Sequence, residues 1–353
     1  MKKESLQTID ATPETDAAFS TLTKMPTLVK QLRVVGLDDF LRMELPIRDT
    51  MIGPWLMTQS LNMIYGWRGI GKTLVSLGIA YAVASGGNFL GWQAKRPWRV
   101  LLVDGEMPAP ALQERLAAIR ASNKLKPEPG FLSILTPDLQ TGAMPDLSTY
   151  PGQDAITRIA EQVNADLIVI DNLSCLVRGE GRENDAESWI SVSEWALLQR
   201  QAGRSILFIH HSGKNGQQRG TSKREDLLDV VLSLRKPPDY DPVKGACFEV
   251  HFEKARHLAG SDLNPFEARL TKDSKGDSIW DLINVTTSTV ARVANLANNG
   301  LSQSKIVNEL NIDKSNVSRA WRKAEELGKI KNKSTIKPES VSKRARSKRQ
   351  LQN

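Results

Sequence analysis

Eight consecutive residues carry the most specific chemistry in this chain. Gly66-Trp67-Arg68-Gly69-Ile70-Gly71-Lys72-Thr73 matches G-x-x-x-x-G-K-[ST] at every fixed position. Glycines let a backbone wrap close around phosphate oxygens, and a helix starting at the end of the motif offers free N–H groups and partial positive charge. Lys72 is then expected to reach the β- and γ-phosphates, and Thr73 to ligate Mg²⁺. The chemistry is binding and hydrolysis of a nucleoside triphosphate.

Three further positions could complete such a site. Asp171 closes the apolar run Leu167–Ile170, where an acid can hold the metal shell; the plain alternative is an aspartate capping a loop. Glu106 follows the apolar run Val100–Val103 in Val103-Asp104-Gly105-Glu106-Met107, where a carboxylate can face the γ-phosphate and polarise water. Asp104 is the second candidate base, and Glu106 has the longer reach. His210-His211 end the run Ile206–Ile209, and His211 is the better placed to sense the γ-phosphate.

These residues need a scaffold that brings strand ends together, and the pattern supplies one. Strands are expected at Leu61–Tyr65, Arg99–Val103, Phe131–Leu135, Leu167–Ile170 and Ser205–Ile209. Helices are expected at Thr73–Ala84, Pro110–Ala121, Gln153–Val163 and Glu187–Gln201. Unbroken apolar strands alternating with helices imply an α/β fold with a mostly parallel sheet covered on both faces. Asp229–Leu234, Cys247–Phe252, Phe266–Thr271 and Ser278–Ile283 then read as antiparallel strands extending the sheet edge. Residues 1–45 combine a polar start with a short amphipathic helix over 26–44, broken near Gly36. The ATPase domain is expected over 46–285.

The segments GWRGIGKT, VDGEM, LIVIDNL, FIHHSGKNGQQRGTS and FEKAR resemble the RecA-like ATPase superfamily, and within it the RepA-like hexameric helicases of plasmids and phages. The resemblance spans roughly residues 50–285 and implies ATP as the nucleotide and a homo-oligomeric ring. It assigns Glu106 as catalytic carboxylate, Asp171 as metal-shell acid and His211 as γ-phosphate sensor. It further implies that Lys254 and Arg256 enter the neighbouring subunit's site. Alternation along a strand puts that pair on one face, although an exposed charged strand face would look the same. It also implies that loops 173–188, with Arg178 and Arg182, and 212–224, with Lys214, Arg219, Lys223 and Arg224, line a channel for single-stranded DNA. Neither loop has an aromatic residue, so grip would be electrostatic.

Residues 289–330 read as a small all-α domain after a polar junction, Asn284–Thr289. Helices are expected at Val290–Asn298, Ser302–Leu310 and Lys314–Leu327, with Asp313 as N-cap. The turn Asn311-Ile312-Asp313 and a buried Val317 form a helix-turn-helix signature. The last helix would expose Ser315, Asn316, Ser318, Arg319, Arg322 and Lys323, residue types suited to DNA phosphates and base edges. A three-helix protein-interaction cap is the alternative.

Composition limits the remaining choices. The net charge of +8 resides at the C-terminus: residues 329–353 alone sum to +8 and 288–328 to +2, leaving the first 287 residues near −2. The basic tail, 331–353, reads either as disordered attraction for nucleic acid or as a solubilising extension. No apolar run approaches the roughly 20 residues that span a bilayer, and the N-terminus lacks a signal segment, so a cytoplasmic protein is expected. Cys175 and Cys247 are too few for a zinc cluster or disulfide framework and read as inert packing residues. The function these features imply is an ATP-driven DNA motor, a ring helicase or replication ATPase. The alternative is a regulatory or recombination ATPase that assembles on DNA without unwinding it. A DNA-binding regulator that keeps nucleotide only as a structural ligand is disfavoured by the intact candidates Lys72, Glu106 and Asp171.

Overall fold

A computed structural model describes residues 33–178, 186–213 and 225–330, apart from 239, 242, 244 and 275. The chain divides into two compact units, 1–47 and 48–353. In the first, helix α1 spans Leu37–Arg42, with Asp38 and Asp39 in its first turn and Arg42 in its last, a charge order that complements the helix dipole. It is shorter than the expected helix. Gly36, the expected break, is its N-cap, and residues 26–32 lie outside the described residues.

The second unit opens with a small ribbon, β1 (Thr50–Ile52) and β2 (Leu56–Met57), followed by β3 (Leu61–Gly66) and α2 (Lys72–Ser85). A second ribbon, β4 (Asn88–Phe89) and β5 (Trp92–Gln93), leads to β6 (Val100–Asp104), α3 (Ala109–Ser122), β7 (Leu132–Leu135) and α4 (Tyr150–Gln162). Next come β8 (Leu167–Asp171), the one-turn α5 (Leu173–Leu176), α6 (Ala186–Gln201) and β9 (Ser205–His211). Strands β10 (Val230–Arg235), β11 (Cys247–Ala255), β12 (Phe266–Lys272) and β13 (Ser278–Asn284) precede three helices, α7 (Val285–Asn298), α8 (Gln303–Leu310) and α9 (Lys314–Glu326). The two ribbons have no sequence counterpart, because two- and three-residue strands leave no periodic signal.

One mixed sheet of nine strands, in the order β13-β12-β11-β10-β3-β9-β8-β6-β7, organises the unit. Strands β10, β3, β9, β8, β6 and β7 pair parallel, and β11, β12 and β13 extend the β10 side antiparallel. This is the expected α/β fold with one correction: β10, expected among the antiparallel strands, pairs parallel with β3, and the antiparallel extension begins only at β11. Residue alternation divides two cores. Ile64, Leu102, Val169 and Leu207 pack on one face, while Met63, Leu101, Ile168 and Phe208 pack on the other. Covering both faces explains why these strands are apolar at most positions, with buried Asn62 of β3 bonded to Ser60 Oγ and the Ile206 carbonyl. Each fully buried large side chain contributes about 1.5–3 kcal/mol. Helix α2 is apolar nearly all round because almost every residue in it is buried.

The polar junction expected at 284–289 is corrected. Strand β13 runs into α7 without a loop, Asn284 serving as N-cap through its side chain to the Thr286 N–H. Thr286, Ser288 and Thr289 are helical; Ser288 and Thr289 turn their hydroxyls back to the Val285 carbonyl, which makes a polar stretch compatible with a helix. Val290, Val293, Ile306, Leu310, Val317 and Ala320 form a separate core among α7, α8 and α9. Asp313 sits at the N-cap of α9 but makes no side-chain cap; its backbone carbonyl takes the Asn316 and Val317 N–H groups instead. Among the described residues no helix is long and apolar enough to cross a membrane.

Candidate active site

The sheet topology gathers the sequence-selected residues at one edge. Gly66 ends β3, Asp104 ends β6, Asp171 ends β8 and His211 ends β9, all at carboxyl ends of parallel strands. Gly66 pairs in register with His211, and Asp104 with Asp171. The carboxyl edge of such a sheet is where ligands bind in open α/β folds.

Local backbone requirements explain the glycines. A Cβ on Gly66 would lie 2.9 Å from the Leu234 carbonyl of β10, so the strand and its neighbour close only over glycine. Gly71 has φ +108°, a conformation that side chains resist, and it turns the loop into the start of α2. Trp67, Arg68 and Gly69 are exposed at the crest, and Ile70 is buried beneath it.

Lys72 is buried and folds back over the loop, its Nζ donating to the Gly66 and Trp67 carbonyls at 2.9 Å each. Burial pulls its pKa down to about 8, Asp171 and Glu106 pull the other way, and Arg68 adds a small further lowering. Asp171 is almost fully buried and accepts a 2.6 Å hydrogen bond from Ser76 Oγ and another from the Thr73 side chain. Burial raises its carboxyl pKa, while these hydroxyls and Lys72 oppose the rise. Ser76 lies four residues after Lys72 on α2, one turn along the same face.

The two candidate bases separate structurally. Asp104 is buried, and its Oδ2 accepts from the Met107 N–H at 3.0 Å and Thr136 Oγ1 at 3.3 Å. Burial is the main reason its pKa is pushed up to about 6. Glu106 instead accepts a 2.5 Å hydrogen bond from Asn172 Nδ2. Asn172 also caps α5, its Oδ1 accepting the Cys175 N–H at 3.2 Å. The Cys175 thiol lies 3.8 Å from the same Glu106 oxygen. The packing role expected for Cys175 is therefore corrected: it is half-buried at the site wall, and burial and Glu106 raise its thiol pKa.

The composition of this pocket fits a magnesium-bound triphosphate. Thr73 and Asp171 are already adjacent; Glu106 is close enough to raise the Asp171 carboxyl pKa, and Asp171 that of Asp104. Among the described residues no cluster of three or more His, Cys, Asp or Glu forms a metal cage by itself. Mg²⁺ characteristically takes one or two protein oxygens and completes its shell from phosphates and water.

Lys254 and Arg256 lie elsewhere. Ala255 of β11 pairs with Val230 at the start of β10, whereas Leu234 near its end pairs with Gly66. The pair thus sits at the opposite edge of the sheet, roughly 15 Å from its own Gly66 at about 3.3 Å per strand residue. Both side chains converge on the Asp226 carbonyl, and Lys254 also reaches that of Glu225. Lys214, Arg219, Lys223 and Arg224, with Arg182, lie outside the described residues. Arg178 donates to the Met144 carbonyl and its N–H bonds Asp146. On α9, Ser315, Asn316, Arg319, Arg322 and Lys323 are exposed, whereas Ser318, expected to be exposed, is half-buried beside the three-helix core.

Sequence reasoning missed Asn172, Ser76 and Thr136. Asn172 and Ser76 carried a usable signal, being next to the strand-ending acid and one helical turn after the lysine. Thr136 meets Asp104 only because β7 pairs with β6.

A family model described as an AAA domain matches residues 27–217. Comparison with curated proteins gives no match. Among solved structures, the chain is similar to a KaiC-like protein, PH0186, from the hyperthermophilic archaeon Pyrococcus horikoshii OT3. Identity is 14%, with 64% of this chain and 90% of that chain covered and a TM-score of 0.45.

Proposed function

This chain belongs to the AAA domain family, and from that premise we propose that it is an ATP-driven DNA motor, a RepA-like ring helicase or replication ATPase. A P-loop ATPase is the coarse identity. The finer reading is carried by one observation: Lys254 and Arg256 share a face at the sheet edge opposite their own P-loop. Cations so placed are too far from their own P-loop to serve it, which supports a role in a neighbour's site and would make hydrolysis depend on assembly.

Within the site, the P-loop N–H groups and Lys72 would hold the β- and γ-phosphates, and Thr73 and Asp171 would hold Mg²⁺. The metal, when bound, neutralises phosphate charge. Glu106, oriented by Asn172, orients and deprotonates the attacking water. His211, beside Gly66, contacts the γ-phosphate and passes its loss to the loop that follows β9. In a ring, that loop and the one after β8 contact single-stranded DNA, and the three C-terminal helices, which carry the helix-turn-helix signature, add a further DNA contact. The helix-turn-helix also favours a second reading, a regulatory or recombination ATPase that assembles at a DNA site without unwinding.

Turnover measured with and without single-stranded DNA, alongside native mass, tests the motor reading. Stimulation by DNA in an oligomer, abolished by Lys72→Ala, is the expected result, and DNA-independent turnover overturns it. A strand-displacement assay separates unwinding from assembly alone.

A further inference from the structure

Part of the α9 face suited to nucleic acid borders a cleft. Asn316, Arg319 and Lys323 form one wall of a cleft of about 800 Å³, and segment 235–238, which leaves the end of β10, forms the other. Ser315 and Arg322, selected from sequence for the same task, do not line it.

Each wall carries cations. Arg235 and Lys236 come from the ATPase sheet, Arg319 and Lys323 from α9, and all four are exposed. Arg235 is paired with Glu253 at 2.5 Å and Lys323 with Glu326 at 3.1 Å, so Lys236 and Arg319 supply most of the available positive charge. Two acids share the lining, Glu249 and Glu309. Glu249 is engaged by His251 at 2.9 Å and stands 4.0 Å from Arg292, so it contributes little free negative charge. The walls are held in place: buried Arg292 of α7 ion-pairs with the fully buried Glu267 of β12 at 2.5 Å.

We propose that this cleft holds a segment of single-stranded nucleic acid by its phosphodiester backbone, between the ATPase sheet and the three-helix module. The proposal rests on reading the chain as a DNA-dependent ATPase, and it names a binding surface for that reading. The ligand is a single strand because a helix reads a duplex by entering a major groove about 12 Å wide with both backbones outside it. Here segment 235–238 closes the space opposite α9. Contact is to the backbone because, among the described residues, no Phe, Tyr or Trp lines the cleft to stack on bases. The cleft opens at the P-loop edge of the sheet, since Leu234 pairs with Gly66.

The test uses the full chain and a fluorescent 20-nucleotide oligo-dT, with a duplex of equal length for comparison. Lys236→Glu and Arg319→Glu are each expected to weaken single-strand binding about tenfold. Each should also reduce the slope of log affinity against log salt by about 0.7, the value for one phosphate contact on a single strand. A photo-reactive strand bound to the parent protein should crosslink to peptides containing 235–238 and 309–323, a readout independent of how the variants fold. The proposal is overturned if Lys236→Glu binds like the parent and crosslinks fall only outside those peptides, a result that leaves a DNA-dependent ATPase standing. Preferential duplex binding that responds to Arg319→Glu and not to Lys236→Glu also overturns it. If neither DNA form binds the parent, the DNA-ATPase reading falls with it.

Discussion

Asn172 donates from Nδ2 to Glu106 Oε2 at 2.5 Å while its Oδ1 accepts the Cys175 N–H. The second bond fixes which way the amide points, so the NH₂ must face Glu106. The carboxylate is thereby held at the end of β8, next to Asp171. Asn172→Ala should leave nucleotide affinity near the parent value and lower kcat by about tenfold to a hundredfold, since positioning affects the transition state more than binding. Asn172→Asp places a like charge against Glu106 and should lower kcat further. A rise in KM with unchanged kcat in Asn172→Ala would assign Asn172 to binding instead.

Asp104 offers a direct test of which carboxylate is the base. Its Oδ2 already accepts two hydrogen bonds, and burial holds its pKa near 6 against an ordinary 3.8. Asparagine keeps that acceptor and removes the buried charge. A raised carboxyl pKa means the folded state disfavours the ionised form, so this residue favours folding below about pH 4 and loses that contribution as pH rises through 6. Asp104→Asn should therefore raise the urea midpoint at pH 7.5 and change little at pH 4. It should also keep most ATPase activity, whereas Glu106→Gln should lose it. The reverse pattern of activity would make Asp104 the base.

Lys72 makes nucleotide binding pH-dependent. In the free protein its pKa lies near 8, chiefly through burial, and a bound triphosphate favours the charged form and raises it. Binding above pH 8 therefore takes up a proton. Affinity for a non-hydrolysed ATP analogue should be flat from pH 6.5 to 7.5. It should then fall, by at most tenfold per pH unit, as pH rises past 8. Calorimetry in buffers of different ionisation enthalpy would detect the proton uptake, and its absence at pH 8.5 would contradict this account.

The gathering of these candidates at one sheet edge was legible in sequence because their motifs are local. Gly66–Thr73, Asp171 and His211 each sit at the end of an apolar run, and parallel pairing sends such ends to one edge. Thr136 became visible only in three dimensions, since it meets Asp104 across the β6–β7 pair. Asn172, although adjacent to Asp171 in sequence, showed its partner Glu106 only once β6 and β8 were paired. The start of α7 was misread because Thr286, Ser288 and Thr289 look like a linker until their hydroxyls are seen bonding backward and α7 is seen docked on the sheet. Asp313 was read as a side-chain cap from its type and place, yet its carbonyl performs the task.

That docking has its own consequence. Arg292 Nη2 meets Glu267 at 2.5 Å, and neither group is exposed enough to exchange its partner for water. Arg269 also contacts Glu267, so some compensation survives removal of Arg292. Arg292→Ala should still lower stability by about 3 kcal/mol, the low end for breaking a buried pair. Urea denaturation would measure it, and a loss below about 1 kcal/mol would show that Arg269 and His251 carry the carboxylates alone.

Lys254 and Arg256 yield the most decisive experiment on assembly. They either finish a neighbour's site or merely hold the backbone at Glu225 and Asp226. Lys72→Ala and Arg256→Ala should each be inactive alone. In a head-to-tail ring, equal mixing pairs an intact P-loop with an intact Arg256 at about a quarter of the interfaces. Activity should therefore recover to roughly a quarter of the parent value if interfaces act independently. A purely structural Arg256 would give a mixture no more active than its parts, and Arg256→Lys, which keeps a cation but loses the planar fork, would then be active alone. Under the in-trans mechanism Arg256→Lys should stay impaired and should be rescued by Lys72→Ala subunits.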